Sequence, residues 1–231
     1  MTIISVLTRN KLELTKRCID SIFQNTYGDF KVVVTDNNST DGTLGLLKSI
    51  SSLIMLIENK ENMSFSKAHN NVMKMFPQDD IVLVNNDIEV PWNWLVRLQT
   101  FIKERNLGAA SPAIKQYGGL NVGATLDDHA RGRSIVDKSL IDKTPPDWIT
   151  GSCLYITRDT VNKLGCLDEA FNFYYEDVDY CFRMKKAGIN FACDREVQII
   201  HHDSASSNAV QKKQMLEESR KYFASKWGYK I

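Results

Sequence analysis

Phe30-Lys31-Val32-Val33-Val34-Thr35-Asp36-Asn37-Asn38-Ser39-Thr40-Asp41-Gly42-Thr43 decides the fold. Phe30–Thr35 is a short β-branched run, and the polar turn after it opens into a helical stretch near Thr43–Ser49. A strand that passes its chain to a helix through such a turn is one unit of an alternating β/α architecture. Asp41 suits a helix cap. A capped turn explains Asp36 less well, because a carboxylate at a strand end is placed to accept hydrogen bonds from a pyrimidine N–H or a ribose hydroxyl.

The same unit repeats outward from that stretch. Further strands are expected at Thr2–Leu7, Leu53–Ile57, Ile81–Val84 and Ala109–Ile114, with helices near Lys11–Gln24, Ser66–Met75 and Trp92–Arg105. The expected fold is therefore α/β, a mostly parallel central sheet with helices on both faces. Such sheets bind ligands beyond the carboxyl ends of their strands. Thr8-Arg9-Asn10, Asp36-Asn37-Asn38 and Asn85-Asn86-Asp87 follow three of these strands and converge on one polar crevice. From Lys115 to Trp148 the alternation stops, and glycines and Pro145-Pro146 mark an irregular excursion with room for a hairpin. Strands resume at Trp148–Ile156, Asn190–Cys193 and Val197–Ile200. The stretch Val210 to Trp227 suits a helix with Leu216, Phe223 and Trp227 on one face; its lysines and arginines are either a solvated face or a contact with a membrane surface. One domain over residues 1–231 is expected, with 1–114 serving a nucleotide and 115–231 an acceptor and catalysis.

The chain has 231 residues, enough for one large core, and a net charge of +1, which gives no reason to expect nucleic acid as a partner. No apolar stretch approaches the roughly 20 residues that span a bilayer. A cytoplasmic protein without a transmembrane segment is expected. The five cysteines are scattered and form no Cys-x-x-Cys, so they read as reduced thiols.

Three stations carry chemistry. Asn85-x-Asp87 suits a hard divalent cation that keeps waters and takes phosphate oxygens, or else an Asx-type turn closing the strand. In Glu176-Asp177-Val178-Asp179, at a helix start, the helix dipole accounts for Glu176 and an i,i+4 pair with Arg183 accounts for Asp179. Asp177 has neither partner and is the candidate general base. His201-His202 ends a buried-looking strand, where the pair is either structural or supplies one histidine that completes a metal shell or contacts phosphate. The polar loop 203–208 after it has the make-up of a lid.

In order and spacing these stations resemble the family 2 inverting glycosyltransferases. The parts are Val6-x-Thr8-Arg9-Asn10, Val34-x-Asp36-Asn37-x-Ser39-x-Asp41-Gly42-Thr43, Asn85-Asn86-Asp87-x-Glu89-Val90, Gly151-x-Cys153-Leu154-x-Ile156-x-Arg158, Gly165-x-Leu167-Asp168-Glu169-x-Phe171, Glu176-Asp177-x-Asp179-x-Cys181-x-Arg183 and His201-x-x-Ser204-x-Ser206. The tail looks most like the rhamnosyltransferase-type branch. The resemblance implies the A-type glycosyltransferase fold, a UDP- or dTDP-sugar donor, Mn2+ or Mg2+, and a saccharide or glycolipid acceptor. Thr8, Arg9, Asn10, Asp36, Asn70, Asn85 and Asn86 would then serve the nucleotide, with Asn71 beside them. Asp87 and His201 would serve the metal, and Asp177 would be the base. Apart from the resemblance, Trp148, Tyr175 and Glu176 are expected to meet the acceptor, and the aromatics Phe171, Phe173, Tyr174 and Tyr175 either stack on its sugar rings or pack in the core. Two departures stand out: Asn85 replaces the first acid of the family's Asp-x-Asp motif, and Ser64 stands where many relatives have glycine.

Two rivals remain. A nucleotidyltransferase would carry a Gly-rich phosphate loop after the first strand, and Thr8-Arg9-Asn10-Lys11 has no glycine. A non-catalytic nucleotide-sugar-binding module would have no use for the whole set of Asp87, Asp177 and His201.

Overall fold

Each strand of the N-terminal half is a run of residues that are apolar on both sides, so each demands a helix on either face. The computed structural model describes residues 1–116, 119–136, 145–202 and 209–231. It begins β1 (Thr2–Thr8), α1 (Leu12–Asn25), β2 (Phe30–Asp36), α2 (Thr43–Ser49), β3 (Met55–Glu58), α3 (Phe65–Met75) and β4 (Asp80–Asn85). It continues with β5 (Ile88–Glu89), α4 (Trp94–Arg105), β6 (Ala109–Gln116), β7 (Gly119–Asn121), β8 (Ala124–Leu126) and β9 (Gly132–Ser134). The rest is β10 (Cys153–Ile156), α5 (Arg158–Leu164), α6 (Glu176–Lys186), β11 (Phe191–His201) and α7 (Ala209–Trp227).

Among the described residues the main sheet has nine strands, eight of them in the order β3-β2-β1-β4-β10-β6-β11-β5, with β7 paired to β6. The expected parallel core is there: β1 pairs in parallel with β2 and β4, β2 with β3, and β6 with β11. The sheet as a whole is mixed, because β10 lies antiparallel between β4 and β6, β5 is antiparallel to β11, and β7 is antiparallel to β6. The expected strands at 190–193 and 197–200 are one strand, β11, whose register against β6 shifts between Asp194 and Gln198. In the excursion, β8 and β9 form the hairpin. Helix α5 was not expected; the Thr157 side chain caps it by accepting from the Thr160 N–H.

Two apolar layers sandwich the sheet. Ile19, Ile22, Leu47, Leu95 and Leu98 from α1, α2 and α4 pack on Val6, Val34 and Val84, all buried. On the other face Val72, Met73, Tyr180 and Met184 from α3 and α6 pack on Ile3, Val33 and Leu83. The strand alternation separates the two sets, odd-numbered residues of β1, β2 and β4 facing α3 and even-numbered ones facing α1. His69 ties α3 to β1 through a 2.8 Å hydrogen bond to Ser5 Oγ, and burial pushes its imidazole down to about 3, which keeps it neutral. Among the described residues no helix is long and apolar enough to cross a membrane. The loop 203–208 lies outside the described residues.

Candidate active site

Register sets the rim. Thr8 lies opposite Asp36, and Leu7 opposite Asn85, so three strand ends finish side by side. Asp36 is 1% exposed; its Oδ2 accepts the Ser39 N–H at 3.0 Å, while Oδ1 is buried without a partner among the described residues. A buried carboxylate oxygen left unpaired is costly, and a ligand N–H or hydroxyl would satisfy it. Asn37, beside it, binds the 59–63 turn through Asn59, Asn62 and Met63, at 2.8–3.0 Å. Asn10, in the left-handed region at φ 59°, links to Ser39 and Thr40, and Arg9 is exposed at the rim. Gly42, not Asp41, is the N-cap of α2; Asp41, one residue earlier, accepts the Thr43 N–H and hydroxyl and the Leu12 N–H of α1.

Beyond β4 the chain turns at Asn86-Asp87 into β5, which pairs with the end of β11, Ile88 opposite His201. That pairing sets Asp87 Oδ1 3.1 Å from His201 Nε2, both partly buried. His202 turns to Glu89 instead, at 2.7 Å. One carboxylate and one imidazole, each with a second site for a ligand, fit a divalent cation whose shell is otherwise filled by water and phosphate oxygens. No cluster of three or more potential protein ligands occurs among the described residues. Asn85, half-buried on the rim, has its backbone N–H bonded to the Ser152 carbonyl of the segment before β10.

Helix α6 starts above β10 and carries Asp177. Asp177 Oδ2 accepts the Gly151 N–H at 2.8 Å, and Oδ1 accepts the Val178 N–H at 2.8 Å. Burial raises its pKa above the ordinary carboxylate value, against these backbone hydrogen bonds, which favour the charged form. Glu176 is 8% exposed with Oε2 unpartnered, and burial together with the charge of Asp177 pushes it up to about 8. Asp179 is fully buried and anchors the helix: Arg183 Nε donates to it at 3.0 Å, Trp227 Nε1 at 2.9 Å, and Lys226 Nζ lies 2.7 Å away. The expected Asp179–Arg183 pair thus has α7 as a further partner.

Several expected contacts are corrected. Thr8 is buried with its hydroxyl held by Thr15 and Asn86, so that side chain shapes the strand end from beneath. Asn86 spends its amide nitrogen on the same network, with Oδ1 left for other partners. Asn70 is a strut: 1% exposed, it donates to the Leu167 carbonyl and Glu169 and accepts the Leu167 N–H. Tyr175 points into the α6–α7 core, its hydroxyl on the Ala130 carbonyl at 2.6 Å, because φ of 67° at both Tyr174 and Tyr175 turns the chain inward. Trp148 is half-buried, its ring against Gly132. The role of Gly151 escaped the sequence reading: a Cβ there would lie 3.1 Å from Asp177 Cβ. A glycine just ahead of a buried strand is the one signal the sequence offers for it.

Similarity to known proteins follows the same outline. Residues 3–165 match the model of glycosyl transferase family 2. The O-antigen biosynthesis protein RfbC of Myxococcus xanthus is 25% identical over 218 residues, covering 87% of this chain and 17% of that protein. The low-salt glycan biosynthesis hexosyltransferase Agl10 of Haloferax volcanii is 25% identical over 194 residues, 80% of this chain and 62% of its own. For the N-acetylglucosaminyl-diphospho-decaprenol L-rhamnosyltransferase of Mycobacterium tuberculosis the figures are 24% over 224 residues, 83% and 73%. The chain thus spans a small fraction of the first of these and under two thirds of the second. GalNAc-T7, solved with UDP, GalNAc and Mn2+, superposes with a TM-score of 0.75 at 15% identity, over 87% of this chain and 43% of that one. The mannosyltransferase PcManGT from Pyrobaculum calidifontis, solved with GDP-Man and Mn2+, gives 0.68 at 16% identity, over 91% and 59%. These two likenesses show the fold, the A-type glycosyltransferase fold. The family match takes in β1 to β4, the Asn85-Asn86-Asp87 turn and β10, and on that ground the chain belongs to glycosyl transferase family 2.

Proposed function

We propose that the protein is an inverting glycosyltransferase. It moves a sugar from a UDP- or dTDP-linked donor to a hydroxyl of a saccharide or glycolipid acceptor, in surface polysaccharide or glycan synthesis on the cytoplasmic side. The observation that carries the reading is Asp177: a half-buried carboxylate, held by two backbone N–H groups, with its proton affinity raised by desolvation. Such a group is a stronger base than a solvated aspartate and keeps a fixed direction of attack. It removes the proton from the acceptor hydroxyl as that oxygen attacks the anomeric carbon, and one displacement inverts the configuration. The Oδ1 of Asp36, unpaired among the described residues, accepts a hydrogen bond from a base N–H or ribose hydroxyl, with Arg9, Asn10 and Asn85 along the same rim. Asp87 and His201 would hold Mn2+ or Mg2+, which when bound supplies positive charge against the departing diphosphate. Residues 1–114 bring the donor side, and 115–231 the base and the acceptor side. The rhamnosyltransferase-type branch draws support from the Mycobacterium tuberculosis relative.

The test is nucleotide release from UDP- and dTDP-sugars with manganese. The wild type is expected to hydrolyse one of them slowly, and Asp177→Asn to lose at least roughly 100-fold, the usual scale for a general base. Nucleotide binding should persist in the variant. Release that survives in Asp177→Asn, or no release from any donor, overturns the reading.

A further inference from the structure

A groove of about 290 Å³ lies between the turn into α3, the loop that precedes α6, and the middle of α7. This is the small end of ligand sites, which run from roughly 300 to 1,000 Å³. Two of its walls hang from the residues of the crevice. Asn62 accepts the amide of Asn37, the neighbour of Asp36, at 2.9 Å. Phe173 precedes Asp177 by four residues, so the two are within about 14 Å along the chain. The third wall is fixed to the second, because Ser219 Oγ on α7 donates to the Phe173 carbonyl at 2.6 Å. The groove is therefore built into the fold at the margin of the crevice.

Its lining selects a class of occupant. Phe173, Tyr222 and Met215 offer apolar surface, and the Tyr222 hydroxyl is already given to Asp168 at 3.1 Å, so that residue presents mainly its ring. Asn62, Asn172 and Glu218 offer amide and carboxylate groups. The Asn172 side chain makes no hydrogen bond among the described residues. None of the described lining side chains is cationic, and Glu218 repels anions, so the groove is no seat for a phosphate or diphosphate. Apolar ring faces with neutral and acidic hydrogen-bond partners match a pyranose, which has C–H faces and hydroxyl edges.

We propose that the groove is an acceptor subsite holding a neutral sugar at least one unit away from the hydroxyl that reacts, so that the preferred acceptor carries two or more sugars. This rests on the glycosyltransferase reading above. The experiment uses an array of immobilised mono-, di- and trisaccharides, neutral and acidic, probed with the protein in UDP and Mn2+. The comparison is with the double variant Asn172→Ala, Glu218→Gln. Wild type is expected on neutral glycans of two or more sugars, with the variant at least about tenfold weaker, the scale of two lost hydrogen bonds. Manganese-dependent nucleotide release should be equal in the two proteins. Equal glycan binding by the variant, binding confined to single or acidic sugars, or retention by no glycan overturns the subsite. Absence of nucleotide release in the wild type instead overturns the glycosyltransferase reading itself.

Discussion

Glu176 and Asp177 are adjacent carboxyls at one helix start, and burial raises both above their ordinary values. For Glu176 the folded chain keeps, up to about 8, a proton that the unfolded chain gives up near 4.5. Between those values the folded state binds more protons, so stability falls as pH rises. Glu176→Gln should flatten that slope and raise the melting temperature at pH 8, by about 2–4 °C for each kcal/mol regained. A variant that melts lower than wild type at pH 8 would show that the buried carboxyl has a partner when ionised. For Asp177 the consequence is kinetic: transfer should climb with pH as the base ionises. Gly151→Ala tests its placement, since the new Cβ would sit 3.1 Å from Asp177 Cβ and 3.3 Å from Oδ2. A displacement of a few tenths of an ångström predicts a loss of roughly tenfold in turnover with little change in nucleotide binding. The sequence singled out Asp177 because it has no local pairing partner. It was silent on Gly151, since the contact spans 26 residues and its donor is a backbone N–H. Tyr175 misled for a related reason: an aromatic in a loop looks the same whether its backbone turns it outward or, as here, inward.

Short elements bring the proposed metal ligands and the proposed base into place. The two-residue strand β5 sets Asp87 against His201 and Glu89 against His202. His201→Ala is expected to weaken manganese-dependent nucleotide binding more than His202→Ala, as measured by titration calorimetry; the reverse ranking would move the cation to the Glu89 side. Helix α6 depends on α7 through Asp179, which is buried against Arg183, Lys226 and Trp227. Asp179→Ala leaves Arg183 without its counter-charge, while Lys226 keeps Asp168, and should cost roughly 3–5 kcal/mol in urea unfolding, the range for a broken buried pair. The parallel units β1 to β4 were legible because each strand is a short, mostly apolar run followed by a polar turn. Of the expected strand Trp148–Ile156 only Cys153–Ile156 is one, and its direction was not legible. Its apolar residues fit a buried strand running either way, and only the paired neighbours fix Cys153 opposite Val84. β5 is too short to have any period of its own and reads as a turn until β11 is beside it.

At the scale of the molecule, the residues proposed for the nucleotide and for the metal adjoin along one rim, so ligands of both kinds should stabilise the fold jointly. UDP or dTDP at 100 times its Kd adds about 2.7 kcal/mol by mass action, and manganese with the nucleotide should exceed the sum of the two alone. Equal thermal shifts with and without EDTA would separate the sites. Most of that rim could be read from the strand ends, but the place of the base relative to it could not, because it depends on β10.

That reversed strand has a mechanical consequence. By pairing with β4 on one side and β6 on the other, β10 welds the strands ending at Asp36 and Asn85 to the strand ending at His201 in one unbroken sheet. The two sides of the proposed catalytic cleft are then not jaws, since the described strands leave no seam between them at which a hinge would work. Admission of substrate and escape of product must be governed by the connections above the sheet, and turnover should follow their motion, not rigid-body closure. Hydrogen exchange offers the check: amides of β4, β10 and β6 should open together, at the rate of global unfolding, with or without nucleotide.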